Sequence, residues 1–204
     1  KSIFFNMVEK TFGEYFKTVK SKMFSQLQKD SDNASPSIVR IAKARLVVAS
    51  EIESNSSLNT AEIKSLTGGE KITCRALFKE QMEFLPQFNI FLICNDDPRI
   101  DEFDDGTVRR LEKIEFQSKF CDKGDKKLKD PVKYPYHFEK NYTLDDKLVF
   151  FAPLFMNDLI KRLRELTLNN NKYFIHRPKE IAASLEKFFK SRCIFVAFKF
   201  DRLI

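Results

Sequence analysis

Two short apolar runs, each stopping on a polar residue, constrain this chain more than any other feature. The first is Arg45-Leu-Val-Val-Ala-Ser-Glu51 and the second is Phe88-Asn-Ile-Phe-Leu-Ile-Cys-Asn95. Leu46–Ala49 and Ile90–Cys94 have the length and composition of strands buried on both faces of a parallel sheet. Ligands collect beyond the carboxyl ends of strands in open α/β sheets, so Glu51 and Asn95 are the first candidate functional residues. Glu51 stands where a nucleotide-hydrolysing site places an acid beside Mg²⁺ to orient or deprotonate the attacking water. Asn95 would hold that water or the γ-phosphate. Taken singly, a solvated strand-end acid and a turn-forming Asn ahead of Asp96-Asp97-Pro98 also fit.

Helix and strand signals alternate along the first half of the chain. Apolar residues at 3, 4, 7, 8 and 12 recur at helical spacing, and Gly13 is a natural stop. Lys1-Ser2 directly before that helix matches the end of a phosphate-binding loop, Gly-Lys-Ser/Thr running into a helix. On that reading the loop's glycines and its preceding strand lie upstream of residue 1, and the chain is a fragment of a longer protein. Residues 14–36 read as irregular, with an exposed loop or lid over Lys29–Pro36, and Ser37–Ala44 as a short helix. Asn59 or Thr60 caps a helix that ends at Gly68-Gly69. Ile72–Leu77 and Met82–Leu85 form a hairpin with Phe78-Lys79-Glu80-Gln81 at its tip. An acid-rich loop, Asp96–Gly106, precedes an alternating edge strand at Leu111–Phe116. Such alternation argues for an open, mostly parallel sheet.

Beyond Gln117 the character changes. Gln117–Tyr142 is a Lys- and Pro-containing polar stretch that reads as linker or surface loops. Leu154–Leu168 reads as an amphipathic helix with Lys161, Arg162 and Arg164 on its polar side. Pro178–Lys190 is a further helix, and Cys193–Phe200 is extended. Charge follows the same division: residues 1–118 hold 17 Lys/Arg against 18 Asp/Glu, and residues 119–204 hold 19 against 11. The whole excess behind the net charge of +7 therefore lies in the last part of the chain. Such an excess favours polyanions, nucleic acid first among them, although a well-solvated surface carries charge of this kind too. With 43% hydrophobic and 32% charged residues the composition is that of a globular chain, and no apolar run reaches the roughly 20 residues of a membrane span. Cys74, Cys94, Cys121 and Cys193 lack CxxC spacing and read as reduced thiols of an intracellular protein.

Two further groups carry chemistry. Arg109 and Arg110 offer guanidinium groups that stabilise charge during phosphoryl transfer. Lys79, beside Phe78 at the hairpin tip, offers a grip on a strand's phosphate and a ring to stack on a base. An ordinary surface pair and a charged turn are the plain alternatives.

The order of these elements is more specific than any one of them. Arg-Leu-Val-Val-Ala-Ser-Glu at 45–51, Lys-x-Leu-Thr-Gly-Gly-Glu-x-Ile-x-x-Arg-x-Leu-Phe-Lys-Glu at 64–80, Phe-x-Pro at 84–86, Asn95, and Asp-Asp-Gly-Thr-Val-Arg-Arg-Leu at 104–111 resemble the poxvirus-type primase-helicase family, among the superfamily 3 helicases. The resemblance covers residues 1 to about 118. It implies an α/β fold: an AAA+-type P-loop NTPase with a mostly parallel central sheet flanked by helices. Beyond this core, residues 1–118, charge and helical periodicity, not the resemblance, give a basic, mainly helical C-terminal region at 119–204. The resemblance further implies an ATP-dependent DNA helicase using ATP and Mg²⁺, a homo-oligomer of hexameric ring form acting on single-stranded and forked DNA. A primase domain upstream and a place in the host cytoplasm at viral replication sites are implied as well, with no membrane contact.

Carried over by residue, Lys1 and Ser2 end the Walker A loop, Lys1 for the phosphates and Ser2 for Mg²⁺. Glu51 is the Walker B acid, shared between catalysis and the metal, and Asn95 is the sensor. Phe78 and Lys79 face DNA in the pore, and Arg109 or Arg110 is the finger inserted into a neighbouring subunit's site. A second reading keeps the fold without hydrolysis, as a nucleic-acid-binding or assembly module. Ser50 supports it, because this superfamily often places a second acid there.

Overall fold

The computed structural model describes residues 1–25, 35–50, 57–100, 104–170 and 178–192. In chain order the first elements are α1 (Ser2–Phe12), β1 (Phe16–Lys20), α2 (Pro36–Ile41), β2 (Leu46–Ser50), β3 (Ser57–Leu58) and α3 (Thr60–Thr67). Next come β4 (Ile72–Arg75), β5 (Gln81–Phe84), β6 (Asn89–Ile93), β7 (Arg99–Ile100) and α4 (Asp105–Val108). The last are β8 (Lys119–Cys121), β9 (His137–Glu139), α5 (Leu144–Asn170) and α6 (Lys179–Arg192). The fold is mixed α/β, with short parallel sheets and helices. Two compact units divide it: Lys1–Thr11 with Ile114–Ile181, and Phe12–Lys113 with Ala182–Ile204.

The larger unit is built on a parallel sheet of order β1-β2-β6. Val47, Val48 and Ala49 in the middle strand are at most 4% exposed, the two-sided burial expected of Leu46–Ala49. The second apolar run forms β6 as expected, but Ile90–Ile93 is only half-buried. Among the described residues β6 pairs with β2 alone, so one side of the strand lacks the cover that β2 receives from both neighbours. Phe24, Ile41 and Val47 are wholly inaccessible, and Leu185, Phe188 and Phe189 of α6 join the same core. Each such side chain, once buried, stabilises the fold by roughly 1.5–3 kcal/mol.

Several expectations for this unit are corrected. Residues 14–36 are not all irregular, because Phe16–Lys20 pairs along its length with Leu46–Ser50. Its buried residues, Phe16 and Val19, are three apart, so period-two alternation gives no sign of the strand. Leu111–Phe116, expected as an edge strand, forms none. Side-chain contacts hold its start instead: Lys113 Nζ bonds Asp97 Oδ2 at 2.8 Å and lies 5.5 Å from the Phe188 ring centre. The helix expected before Gly68-Gly69 is α3, and its cap is Asn59, whose side-chain oxygen accepts the Glu62 N–H at 3.1 Å. Gly69 follows with φ +79°, a conformation that favours glycine.

In the smaller unit α1 meets α5 through a Phe4–Phe155 ring contact at 6.5 Å and through the Thr11 hydroxyl, 3.5 Å from the Ala152 carbonyl. Val8, Leu148 and Ala152 are buried. The helix expected at Leu154–Leu168 starts ten residues earlier, at Leu144, and continues through Pro153. Its apolar side is incompletely covered, with Phe150 73% and Leu154 64% exposed. The stretch expected as linker or surface loops, Gln117–Tyr142, contains a parallel two-stranded ribbon, β8 with β9. Short turns organise it: the Asp125 carboxylate accepts the Lys127 N–H at 2.9 Å, and that of Asp130 accepts the Lys133 N–H at 3.0 Å. Among the described residues no helix is long and apolar enough to cross a membrane. Glu51, the loop over 29–34 and Cys193–Phe200 lie outside the described residues.

Candidate functional site

Register defines the candidate site first. Ser50 pairs with Lys20 on one side and with Ile93 on the other, so three parallel strands end level with one another. Asn95 follows the end of β6 by two residues and is exposed. Two residues on, Asp97 accepts the Lys113 hydrogen bond, which ties the loop after β6 to the segment after α4. Glu51 is next in sequence after Ser50.

The expected hairpin forms, with strands Ile72–Arg75 and Gln81–Phe84 in place of Ile72–Leu77 and Met82–Leu85. Arg75 and Gln81 are the last pair of β4 and β5, leaving 76–80 as the turn rather than 78–81. The Lys79 N–H bonds the Ala76 carbonyl at 3.1 Å, closing a tight turn in which Phe78 has φ +59°. Left-handed backbone is uncommon for a bulky residue and costs of order 1–3 kcal/mol. Nothing within the turn repays this by burial, since the Phe78 side chain is 98% exposed. Phe78 and Lys79 are thus consecutive exposed residues of the hairpin turn.

Arg109 and Arg110 directly follow the single turn of α4. The Asp104 carboxylate caps this turn by accepting the Thr107 N–H at 2.7 Å, and Thr107 is buried. Both arginines fold back onto it: Arg109 Nε donates to the Asp105 carbonyl at 3.2 Å and Arg110 Nη1 to the Gly106 carbonyl at 2.8 Å. Both remain exposed. The capping carboxylate has a second partner, Lys64 Nζ on α3, at 2.6 Å. Hydrogen bonds from Lys64 and Thr107, with the lysine's charge, hold the Asp104 carboxyl far below the usual range for an aspartate. Neither residue stands out as a partner in the sequence, where 40 positions separate them. The Asp-x-x-Thr cap spacing signals half of the arrangement, and nothing signals the other half.

Lys1 and Ser2 belong to the smaller unit, at the start of α1, and are exposed. An ammonium and a hydroxyl in front of a helix are the groups that phosphate oxygens and a hard cation take. Within the larger unit the structure joins the Lys64 segment to the arginine turn through Asp104. Elsewhere the expected site residues sit on separate elements.

Comparison with known proteins extends the picture. Residues 1–110 match the family described as "Family of unknown function (DUF5906)". The chain is 32% identical over 206 residues to a protein of Acanthamoeba polyphaga mimivirus, covering 100% of this chain and 21% of that protein. It is 29% identical over 186 residues to a protein of the Sputnik virophage, covering 88% and 23%. A protein of Frog virus 3 (isolate Goorha) is 27% identical over 128 residues, covering 61% and 13%. Each of the three carries the name "Putative helicase". The chain spans about a fifth of the length of the first two, at 21% and 23%. With 110 of its 204 residues matched, it belongs to the DUF5906 family.

Proposed function

We propose that this chain is the ATPase part of a viral DNA helicase of the superfamily 3, AAA+ type, with residues 1–118 as its core. One observation carries the reading: the level carboxyl ends of parallel β2 and β6, Ser50 beside Ile93, from which Glu51 follows directly and Asn95 after Cys94. Strand ends of this kind are where open α/β sheets bind ligands. The helicase names of the viral relatives agree with it.

In this reading Lys1 binds the nucleotide's phosphates and Ser2 supplies a hydroxyl oxygen for Mg²⁺. The donor set suits the ion, because Mg²⁺ takes few protein oxygens and completes its shell with water and substrate phosphate. When bound, Mg²⁺ neutralises charge on the phosphates. Glu51 accepts the proton of the attacking water, and Asn95 orients that water through its amide. Arg109 or Arg110 leaves its backbone carbonyl and reaches into the site of a neighbouring copy. Rings with head-to-tail interfaces offer such an arrangement at every junction, and a finger supplied in trans contributes 10³–10⁵ in turnover among phosphoryl-transfer enzymes. Phe78 and Lys79 grip single-stranded DNA by stacking and by phosphate contact.

The test is ATP turnover in the full-length protein with and without single-stranded DNA. DNA-stimulated hydrolysis supports the reading. Single-strand binding with no hydrolysis under any condition replaces it with a binding or assembly module, for which Ser50 before Glu51 is the sequence argument.

A further inference from the structure

We propose that the ribbon of β8 and β9, with the lysines around it, is a binding site for single-stranded nucleic acid, separate from the hairpin tip. Phe120 and Phe138 are direct partners in the ribbon's register, so their rings share one face. Their centroids are 6.1 Å apart at 39°, and they are 65% and 46% exposed. Water therefore reaches a substantial part of this aromatic pair. Tyr136 and Tyr142 add rings that are 52% and 64% exposed. Lys133 and Lys140 hold their ammonium groups 5.5 and 5.0 Å from the ring centres of Tyr134 and Tyr142.

Charge decides the occupant. Residues 119–142 contain seven lysines against four acids. Lys123, Lys126, Lys127 and Lys129 are exposed, and none of the four makes an ion pair among the described residues. A protein partner is a poor match, since lysine is depleted from protein–protein interfaces. A polyanion is a good one. Flat rings beside ammonium groups select a polyanion whose bases are free to stack, which a duplex does not offer. Stacking accepts every base and phosphate contact ignores sequence, so the site binds without sequence preference.

The inference rests on the proposed function only in choosing DNA as the probe, because neither nucleotide nor Glu51 enters it. Fluorescence anisotropy of labelled oligo(dT), with the full-length protein and no ATP, is measured across a salt series. Replacing both rings, Phe120→Leu with Phe138→Leu, retains apolar bulk and weakens binding about tenfold or more at every salt concentration. Lys126→Ala, Lys127→Ala and Lys129→Ala together reduce the slope of log affinity against log salt by about 2. A thermal melt identifies any variant that has lost its fold, and the lysine triple variant, whose three side chains are exposed, is the second arm. Wild-type affinity in the folded ring variant overturns the proposal, as does an unchanged slope in the lysine variant. A ring variant that keeps its DNA affinity and changes its self-association overturns it as well, and marks the face as a contact between copies. Failure here leaves DNA-stimulated ATP turnover untouched, so the two readings fall separately.

Discussion

Asp104 binds two parts of the larger unit at once: one carboxylate oxygen caps the arginine-bearing turn at Thr107, and the other receives Lys64 Nζ at 2.6 Å from α3. Its carboxyl is held down by these partners, so the folded protein keeps the charge to lower pH than the unfolded chain does. A lowered folded value gives stability that is present above the ordinary aspartate pKa and is lost as pH falls through the folded one. Asp104→Asn retains the cap, since Asn caps nearly as well, but removes the charge. The gap in melting temperature between wild type and Asp104→Asn is therefore full near neutral pH and narrows below about pH 4. Melting curves across that range check it, and a constant gap contradicts it.

Arg109 and Arg110 lead to a prediction about assembly. With both changed to alanine, nucleotide still binds while turnover falls by about 10³ or more. Mixing that variant with Glu51→Gln subunits restores part of the activity, because a junction can then combine an intact Glu51 with an intact arginine pair. ATP turnover of each variant alone and of the mixture is the measurement. A mixture as inactive as its components places the arginines in their own subunit's site or outside catalysis.

Phe78 separates function from stability. Phe78→Gly relieves the φ +59° backbone and removes a side chain that is 98% exposed. Stability stays within about 1 kcal/mol of wild type, relief of strain opposing the greater freedom of the unfolded chain. Affinity for single-stranded DNA drops severalfold, as loss of a stacking ring requires. Chemical denaturation and anisotropy on the same preparation test both halves. A marked loss of stability would show that the ring packs, and that its exposure does not serve binding.

Legibility of the fold followed burial. A central strand buried on both faces is an uninterrupted apolar run, and Leu46–Ala49 reads as one. β1 contributes only Phe16 and Val19 to the core with lysines between and after them, so its pairing is a backbone property that side chains do not announce. Leu111–Phe116 has the alternation of a strand, yet Lys113 spends its side chain on Asp97 and Phe188 and no ladder forms. The β8–β9 ribbon was hidden for the opposite reason: its strands are three residues each, largely exposed and set in a lysine-rich stretch, as loops are. At the candidate site the hairpin and the strand ends were readable, whereas the Asp104 cap falls in what reads as an acid-rich loop. The Lys64–Asp104 pair was not readable, because only the folded chain brings α3 to the arginine turn.

The central claim is that Glu51 is the acid of a DNA-driven ATPase. It is tested most directly by ATP turnover in the full-length protein, wild type against Glu51→Gln, with and without single-stranded DNA. The account predicts turnover that DNA stimulates in wild type, and loss of that turnover in Glu51→Gln with nucleotide binding intact. Equal rates in the two proteins, whether stimulated or not, would contradict it.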